Sequence, residues 1–362
     1  MKNLKKAAKK IKESENVILY TDSDLDGITS GLIAKGTLEE VGKSPSIFFT
    51  NKEDRGYGLN PDSVEMISNT SKKGLLVTMD CGISDFEGVE RAKELGFEVI
   101  IIDHHKPHEK VPDADLIVCP KLHGDEFKER PNAGIILELS KLILGTQKEE
   151  YIEYAALAIF GDMMPHEGPN KEVLKSFEEN FPATTGVDVL RRIFDTDKPF
   201  KLLQEVFPVL NVTRFVSGTP ESFLFFSFED RKKVEDMARR MIDAYKKRKE
   251  KVGIISEKIL KDLNDEKIIF CGSSDWPSFM LGKIASQVVS RVDKPVFIYR
   301  IKDDIAQGSV RMPKGMDAVE AMKSAEEILE NYGGHPPAAG FTIKKERLDD
   351  FEKRLLNYFK KE

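Results

Sequence analysis

Cysteine, tryptophan and long apolar runs are all scarce in this sequence. Its three cysteines, Cys81, Cys119 and Cys271, are odd in number and form no Cys-x-x-Cys pair. That argues against a disulfide framework and a cysteine-based zinc site, and it suits a reducing cytoplasm. No apolar stretch approaches the ~20 residues of a membrane span, so no membrane partner is expected. The basic N-terminus 1–11 lacks the apolar segment of a signal peptide. A Gly-x-x-x-x-Gly-Lys-Ser/Thr loop is missing, which disfavours an ATP-driven machine. Excess positive charge is missing too: the net charge is −6 and the pI about 5.8. A protein that coats nucleic acid without regard to sequence should be basic. A nucleic-acid ligand would therefore sit in a local groove.

What is present is an ordinary globular composition, 40% hydrophobic and 33% charged, in a chain of 362 residues. That length exceeds the usual single core and predicts two domains. Leu4, Ala7, Ala8 and Ile11 keep helical spacing and predict an amphipathic opening helix. Short β-rich runs at 17–20, 46–50, 75–79, 98–102 and near 116–118 then alternate with helical stretches at 29–41, 62–71, 85–95 and 133–144. A Gly-rich loop is expected at 51–61. Strands separated by helices of this length predict an α/β fold, with a parallel sheet flanked by helices. Residues 170–228, punctuated by Pro182, Pro199, Pro208 and Pro220, predict several short helices. A long connecting helix is expected over 229–264, with Lys246-Lys247-Arg248-Lys249 on its solvated face. From 265 the alternation restarts: strands at 268–270, 295–299, 305–310 and 338–343, with helices at 279–291, 317–331 and 346–360. The expected domains are thus 1–228, the connecting helix 229–264, and a smaller α/β domain 265–362.

Four acidic sites stand where apolar elements stop. They are Asp22, Asp24 and Asp26 after 17–20, Asp80 after 75–79, Asp103-His104-His105 after 98–102, and Asp162 after the apolar run 155–160. In open α/β sheets the ligand site lies outside the carboxyl ends of the strands. Singly these signals are weak, because Asp-x-Asp-Gly is also a common turn. Jointly they form a carboxylate-rich set with imidazole, which suits Mn²⁺ or Mg²⁺. The acids outnumber the needs of one ion, and two ions ~3.5–4 Å apart with one bridging carboxylate would neutralise them.

These motifs, in this order, resemble the DHH phosphoesterase superfamily. Thr21-Asp22-Ser23-Asp24-Leu25-Asp26-Gly27 and Met79-Asp80-Cys81-Gly82-Ile83 are similar to the RecJ-type exonuclease form. Tyr332-Gly333-Gly334-His335-Pro336-Pro337-Ala338-Ala339-Gly340 resembles the glycine-rich motif of the DHH-associated domain; Leu281-Gly282-Lys283-Ile284-Ala285-Ser286 and Gly308-Ser309-Val310-Arg311 also match RecJ-like patterns. The resemblance implies an N-terminal DHH catalytic domain and a C-terminal substrate-binding domain. It implies Asp22, Asp24, Asp26, Asp80, His104 and Asp162 as ligands of two Mn²⁺ or Mg²⁺ ions, with Asp80 the bridge. It further implies that Asp103 orients a histidine, that His105 meets the scissile phosphate, and that Ser309, Arg311, Gly333, Gly334 and His335 hold a backbone phosphate. The expected activity is exonuclease hydrolysis of single-stranded DNA or RNA, in DNA repair, replication or RNA turnover, with protein partners from replication or RNA processing. The architecture resembles the short, archaeal-type RecJ-like proteins that lack an OB-fold. Two other readings are carried: a phosphodiesterase for very short oligonucleotides or cyclic dinucleotides, and a non-catalytic scaffold. Trp276 is left between base stacking and local packing.

Overall fold

The computed structural model describes residues 1–362 except 52–55, 57, 212–213, 264 and 362. Much of the expected Gly-rich loop at 51–61 therefore lies outside the described residues. The chain forms two compact units, Met1–Asp243 and Ala244–Glu362.

The first unit opens with α1 (Leu4–Glu13), β1 (Val17–Thr21), α2 (Leu25–Glu40), β2 (Ser46–Phe49), α3 (Pro61–Thr70) and β3 (Leu75–Met79). It continues with α4 (Phe86–Glu94), β4 (Glu98–Ile102), β5 (Leu116–Val118), α5 (Pro120–His123), α6 (Asn132–Leu144) and α7 (Glu149–Gly161). All five strands are parallel, in the order β2-β1-β3-β4-β5. Both faces are covered, so β1 and β3 are buried at every position, as continuous apolar runs in a parallel sheet should be. Ile18, Tyr20, Leu76, Val99 and Ile101 pack against residues of α3 and α4. Leu19, Val77 and Met79 face α1, α2 and α6. The strand order reverses between β1 and β3, and such a switch point opens a crevice at the carboxyl ends of the strands.

Short helices follow, as expected: α8 (Gly168–Glu179), α9 (Thr185–Ile193), α10 (Pro199–Leu210) and, after a hairpin of β6 (Phe215–Val216) and β7 (Thr219–Pro220), α11 (Glu221–Ser227). The long helix is α12 (Arg231–Lys261), and the boundary between the two units falls within it.

The second unit adds β8 (Ile269–Ser273), α13 (Ser278–Val292), β9 (Val296–Lys302), β10 (Ile305–Arg311), α14 (Ala318–Lys323), β11 (Leu329–His335), β12 (Ala338–Lys344) and α15 (Leu348–Lys361). Its sheet runs β11-β12-β10-β9-β8, antiparallel except for the β8–β9 pair. One face packs on α14 and α15 through Phe297, Phe341 and Phe351. The other packs on α13 and the end of α12 through Ile255, Ile259, Ile284 and Val288.

One predicted element is corrected. The helix expected over 317–331 stops at Lys323, and 329–335 is an edge strand. A β-bulge between Leu329 and Asn331 lets Leu329 and Tyr332 pair with Ile343 and Phe341, two residues apart on one face of β12. Gly333-Gly334 consequently lies within a strand rather than at a helix end. Among the described residues, no helix is long and apolar enough to cross a membrane.

Candidate metal centre

The switch-point crevice receives its acids from turns that local sequence makes possible. Asp22 follows β1, and Asp24 caps α2 by accepting the Gly27 N–H at 3.1 Å. Gly27 is required here, because a Cβ would fall 2.2 Å from the Asp22 carbonyl oxygen. The first turn of α2 therefore folds hard against β1 and carries Asp26 inside, with no exposure at all. Asp80 leaves β3 in the left-handed region, φ 58°, with its N–H on the Ile102 carbonyl at 3.1 Å. A non-glycine residue there is strained, and such strain concentrates at functional sites. His104 follows β4, and Asp162 ends α7.

His104 defines the electrostatics of the centre. Its Nδ1 lies 2.9 Å from the Arg130 carbonyl, which can only accept, so Nδ1 carries the proton. Burial lowers the His104 pKa and keeps the ring neutral, leaving a lone pair on Nε2. That lone pair meets Asp80 Oδ1 at 3.1 Å, Asp162 Oδ2 at 3.3 Å and Asp26 Oδ2 at 3.7 Å. With the carboxyls ionised, all of these atoms are acceptors. His104 Nε2 and Asp80 Oδ1 are buried and have no hydrogen-bond partner, a costly arrangement unless a cation or a proton lies between them. The acids respond accordingly. Desolvation, countered in part by backbone N–H groups, pushes Asp26 up to about 7. Desolvation followed by the charges of Asp26 and Asp24 raises Asp162 to about 7, and the same causes lift Asp80 well above its usual range.

Three overlapping groups place their ligand atoms within 4.8 Å of one another: Asp26, His104 and Asp162; Asp22, Asp24 and Asp80; and Asp80, His104 and His105. Asp80 and His104 each belong to two of them. Carboxylates with a neutral imidazole whose other nitrogen is fixed by a backbone carbonyl fit a divalent ion such as Mn²⁺ or Mg²⁺. All six of the acids and histidine expected as ligands come together here, and His105 joins one group.

Asp103 differs from its neighbours. It accepts the Ile83 N–H at 3.1 Å, the His105 N–H at 2.9 Å and His105 Nδ1 at 2.8 Å. Burial pushes its pKa up, but the His105 bonds outweigh this and the net shift is downward. The same bond raises His105 to about 9, so the half-exposed ring is a cation at neutral pH.

Sequence reasoning missed the supports behind these residues. Asp26 is held by the N–H groups of Asn132, at 2.6 Å, and Ala133, at 2.7 Å, at the start of α6. The Asn132 amide is fully buried. In the orientation that satisfies both ends, it donates to the Ile102 carbonyl and accepts from Ser30 Oγ and the Asp80 N–H, each at 3.0 Å. Asp22 accepts from the Thr50 hydroxyl and from the Ser23 N–H. A polar residue opening an otherwise apolar helix after Pro131 was the only available signal for Asn132.

In the second unit four of the five residues expected to hold phosphate, Ser309, Arg311, Gly333 and His335, share one face of the sheet. Arg311 lies opposite Ala338, which lies opposite His335; Ser309 lies opposite Gly340, which lies opposite Gly333. Directly paired residues point to the same face, so small residues form an open floor between Arg311 and His335. A Cβ on Gly333 would meet nothing within 4 Å. Gly334 has a different role: at φ 147° its Cβ would collide with the Ala338 oxygen at 2.4 Å, so glycine is needed for strand pairing. The Arg311 guanidinium is set by Ser286 Oγ and Ser309 Oγ, each at 3.0 Å. Gly282 lets α13 approach, because a Cβ there would lie 3.0 Å from the guanidinium. Trp276 packs against the apolar cluster of α12 and α13.

Residues 16–161 match the DHH family, N-terminal domain, and residues 265–361 match the DHHA1 domain. The chain is 30% identical to the single-stranded-DNA-specific exonuclease RecJ of Bacillus subtilis, over 98% of this chain and 47% of that protein. It is 28% identical to RecJ of Thermus thermophilus, over 99% of this chain and 54% of that protein. The chain thus spans about half the length of these curated relatives. A crystal structure of exonuclease RecJ bound to manganese superposes with a TM-score of 0.86 at 26% identity, covering 99% of this chain and 95% of that one. RecJ from Thermus thermophilus in complex with Mn²⁺ gives 0.87 at 25% identity, covering 100% of this chain and 55% of that one. The chain thus carries a DHH-family N-terminal domain followed, in order, by a DHHA1 domain.

Proposed function

We propose that the chain is a Mn²⁺- or Mg²⁺-dependent exonuclease that hydrolyses phosphodiester bonds of single-stranded nucleic acid. One observation carries the reading: the buried His104 Nε2 lone pair and the buried Asp80 Oδ1 face each other with no hydrogen-bond partner, beside oxygens of Asp26 and Asp162. RecJ relatives, named as single-strand-specific exonucleases and solved with manganese, supply the reaction class. Asp22, Asp24, Asp26, Asp80, His104 and Asp162 would hold two ions, with Asp80 shared between them. Divalent ions held by these residues would supply activation of a water and neutralisation of charge on the scissile phosphate.

The protein groups do the rest. Asn132 and the N-terminus of α6 hold Asp26 and Asp80 against their mutual repulsion. His105, kept protonated and oriented by Asp103, donates from its outer nitrogen to a phosphate oxygen and stabilises charge as it develops. Ser309, Arg311, Gly333 and His335 grip a backbone phosphate, Arg311 through its planar fork, while Gly334 holds the strand geometry.

The test is a time course with Mn²⁺ on end-labelled DNA and RNA strands, in single- and double-stranded form and down to dinucleotides. Stepwise loss of terminal nucleotides from long single strands is expected. Asp80→Ala should abolish it, a fall of at least about 10³-fold. Full activity in Asp80→Ala, or turnover of dinucleotides alone, contradicts the reading.

A further inference from the structure

β8 is the last strand of the second sheet, hydrogen-bonded to β9 on one side only. The Ile269 N–H goes to the Pro295 carbonyl at 2.8 Å. Alternation along a parallel strand therefore turns the amides and carbonyls of Phe270 and Gly272 outward. A groove of about 370 Å³ runs beside this edge. On the α12 side stand Ile259, Leu263 and Trp276, and Ile259 and Trp276 belong to the apolar cluster there. Beside the strand's own residues the groove is also lined by Asp262 and Glu266, just past the end of α12, by Glu352 on α15 and by Lys258; Lys294 Nζ donates to the Glu266 carbonyl at 2.8 Å. Glu352 is raised by desolvation and then by Glu266 and Asp349, so the acids repel one another where they stand.

An exposed strand edge beside a groove is the geometry of strand addition, in which backbone hydrogen bonds give affinity and alternate side chains give specificity. We propose that β8 and this groove form a docking site for an extended basic segment of another polypeptide. That segment adds as a sixth strand, with apolar side chains toward Trp276 and lysines or arginines at the alternating positions toward Glu352. Charge decides among the occupants. A second copy would set one acidic rim against another, and a nucleic-acid strand would bring phosphates to carboxylates. A basic strand is complementary in both charge and two-residue period.

Trp276 is the only tryptophan in the chain and lies in the groove, so its fluorescence reports occupancy directly. The probe is a capped Lys-Val-Lys-Val-Lys peptide, titrated into the full chain at low salt. A saturable change in Trp276 emission is expected, weakened at least tenfold in the Glu-Val-Glu-Val-Glu peptide and in a backbone N-methylated basic peptide. Asp262→Lys combined with Glu352→Lys should weaken it at least tenfold while leaving the circular dichroism spectrum unchanged. If the double variant misfolds, the N-methylated peptide still tests strand addition on the native protein. The proposal is overturned if basic and acidic peptides bind alike, if N-methylation has no effect, or if no emission change appears at millimolar peptide. A single-stranded oligonucleotide competing for the groove, or sedimentation showing that two copies occupy it, overturns it equally.

Discussion

Glu153 and Asp80 are both buried carboxylates of the first unit, 1% and 2% exposed, and burial raises both pKa values. Their surroundings separate them. Glu153 accepts the N–H groups of Ala183, at 2.8 Å, and Thr184, at 3.0 Å, and the Thr184 hydroxyl. It fastens α9 to α7 and needs nothing more. Asp80 meets a lone pair on His104 and the charges of Asp26, Asp24, Asp22 and Asp162. Both carboxyls have shifted pKa values, yet only Asp80 leaves an oxygen without a donor. An elevated carboxyl pKa therefore does not by itself mark a site in this protein. A buried acceptor facing other acceptors does. Asp103 completes the contrast, buried beside the centre yet fully supplied with donors and shifted downward.

After Asp80→Ala, the largest effect should come from the histidine that Asp103 serves. His105→Asn is expected to lower kcat about 10²-fold, the scale for losing one donor to developing charge. Calorimetric Mn²⁺ affinity should change little, because Asp22, Asp24, Asp26, Asp80, His104 and Asp162 remain. In the unmodified protein, activity should fall as pH rises past about 9, where His105 loses its proton. An equal loss of metal affinity in His105→Asn would reassign His105 as a ligand.

A smaller effect is expected at the satisfied carboxylate. Glu153→Gln turns a donor toward the Ala183 or Thr184 N–H, so stability should fall by about 1–3 kcal/mol with activity per folded molecule retained. Denaturant unfolding read beside the nuclease assay checks this. A Glu153→Gln protein that is folded but inactive would dissolve the distinction drawn between the two carboxylates.

The smallest effect is a pH-dependent shift in melting temperature. Asp26 and Asp162 have folded pKa values of about 7, above the usual 3.8. A carboxyl raised on folding contributes stability at low pH that is lost as pH climbs through the folded value. The metal-free protein should therefore lose stability between about pH 4 and pH 7. Mn²⁺ should restore it, so the gap between metal-loaded and metal-free melting temperatures widens by a few degrees from pH 5 to pH 8. A constant gap would mean that these acids are not compensated by the ion.

The alternation of strands and helices in the first unit, the parallel sheet and the acids at its strand ends followed from the sequence alone. They depend on periods of two and 3.6 residues and on a general rule for open sheets, all of which are local. The acidic centre was likewise visible as a set of suspects. Its chemistry depended on residues distant in sequence. The Arg130 carbonyl decides which nitrogen of His104 carries the proton, and Asn132 joins α6 to Asp80, although neither pattern announces such a role. The strand Leu329–His335 shows the converse, where hairpin pairing with β12 replaced the end of the helix expected over 317–331. The same division holds for the edge of β8. The sequence places a strand at 268–270, but only the tertiary structure shows that this strand ends a sheet and lies beside an acidic groove.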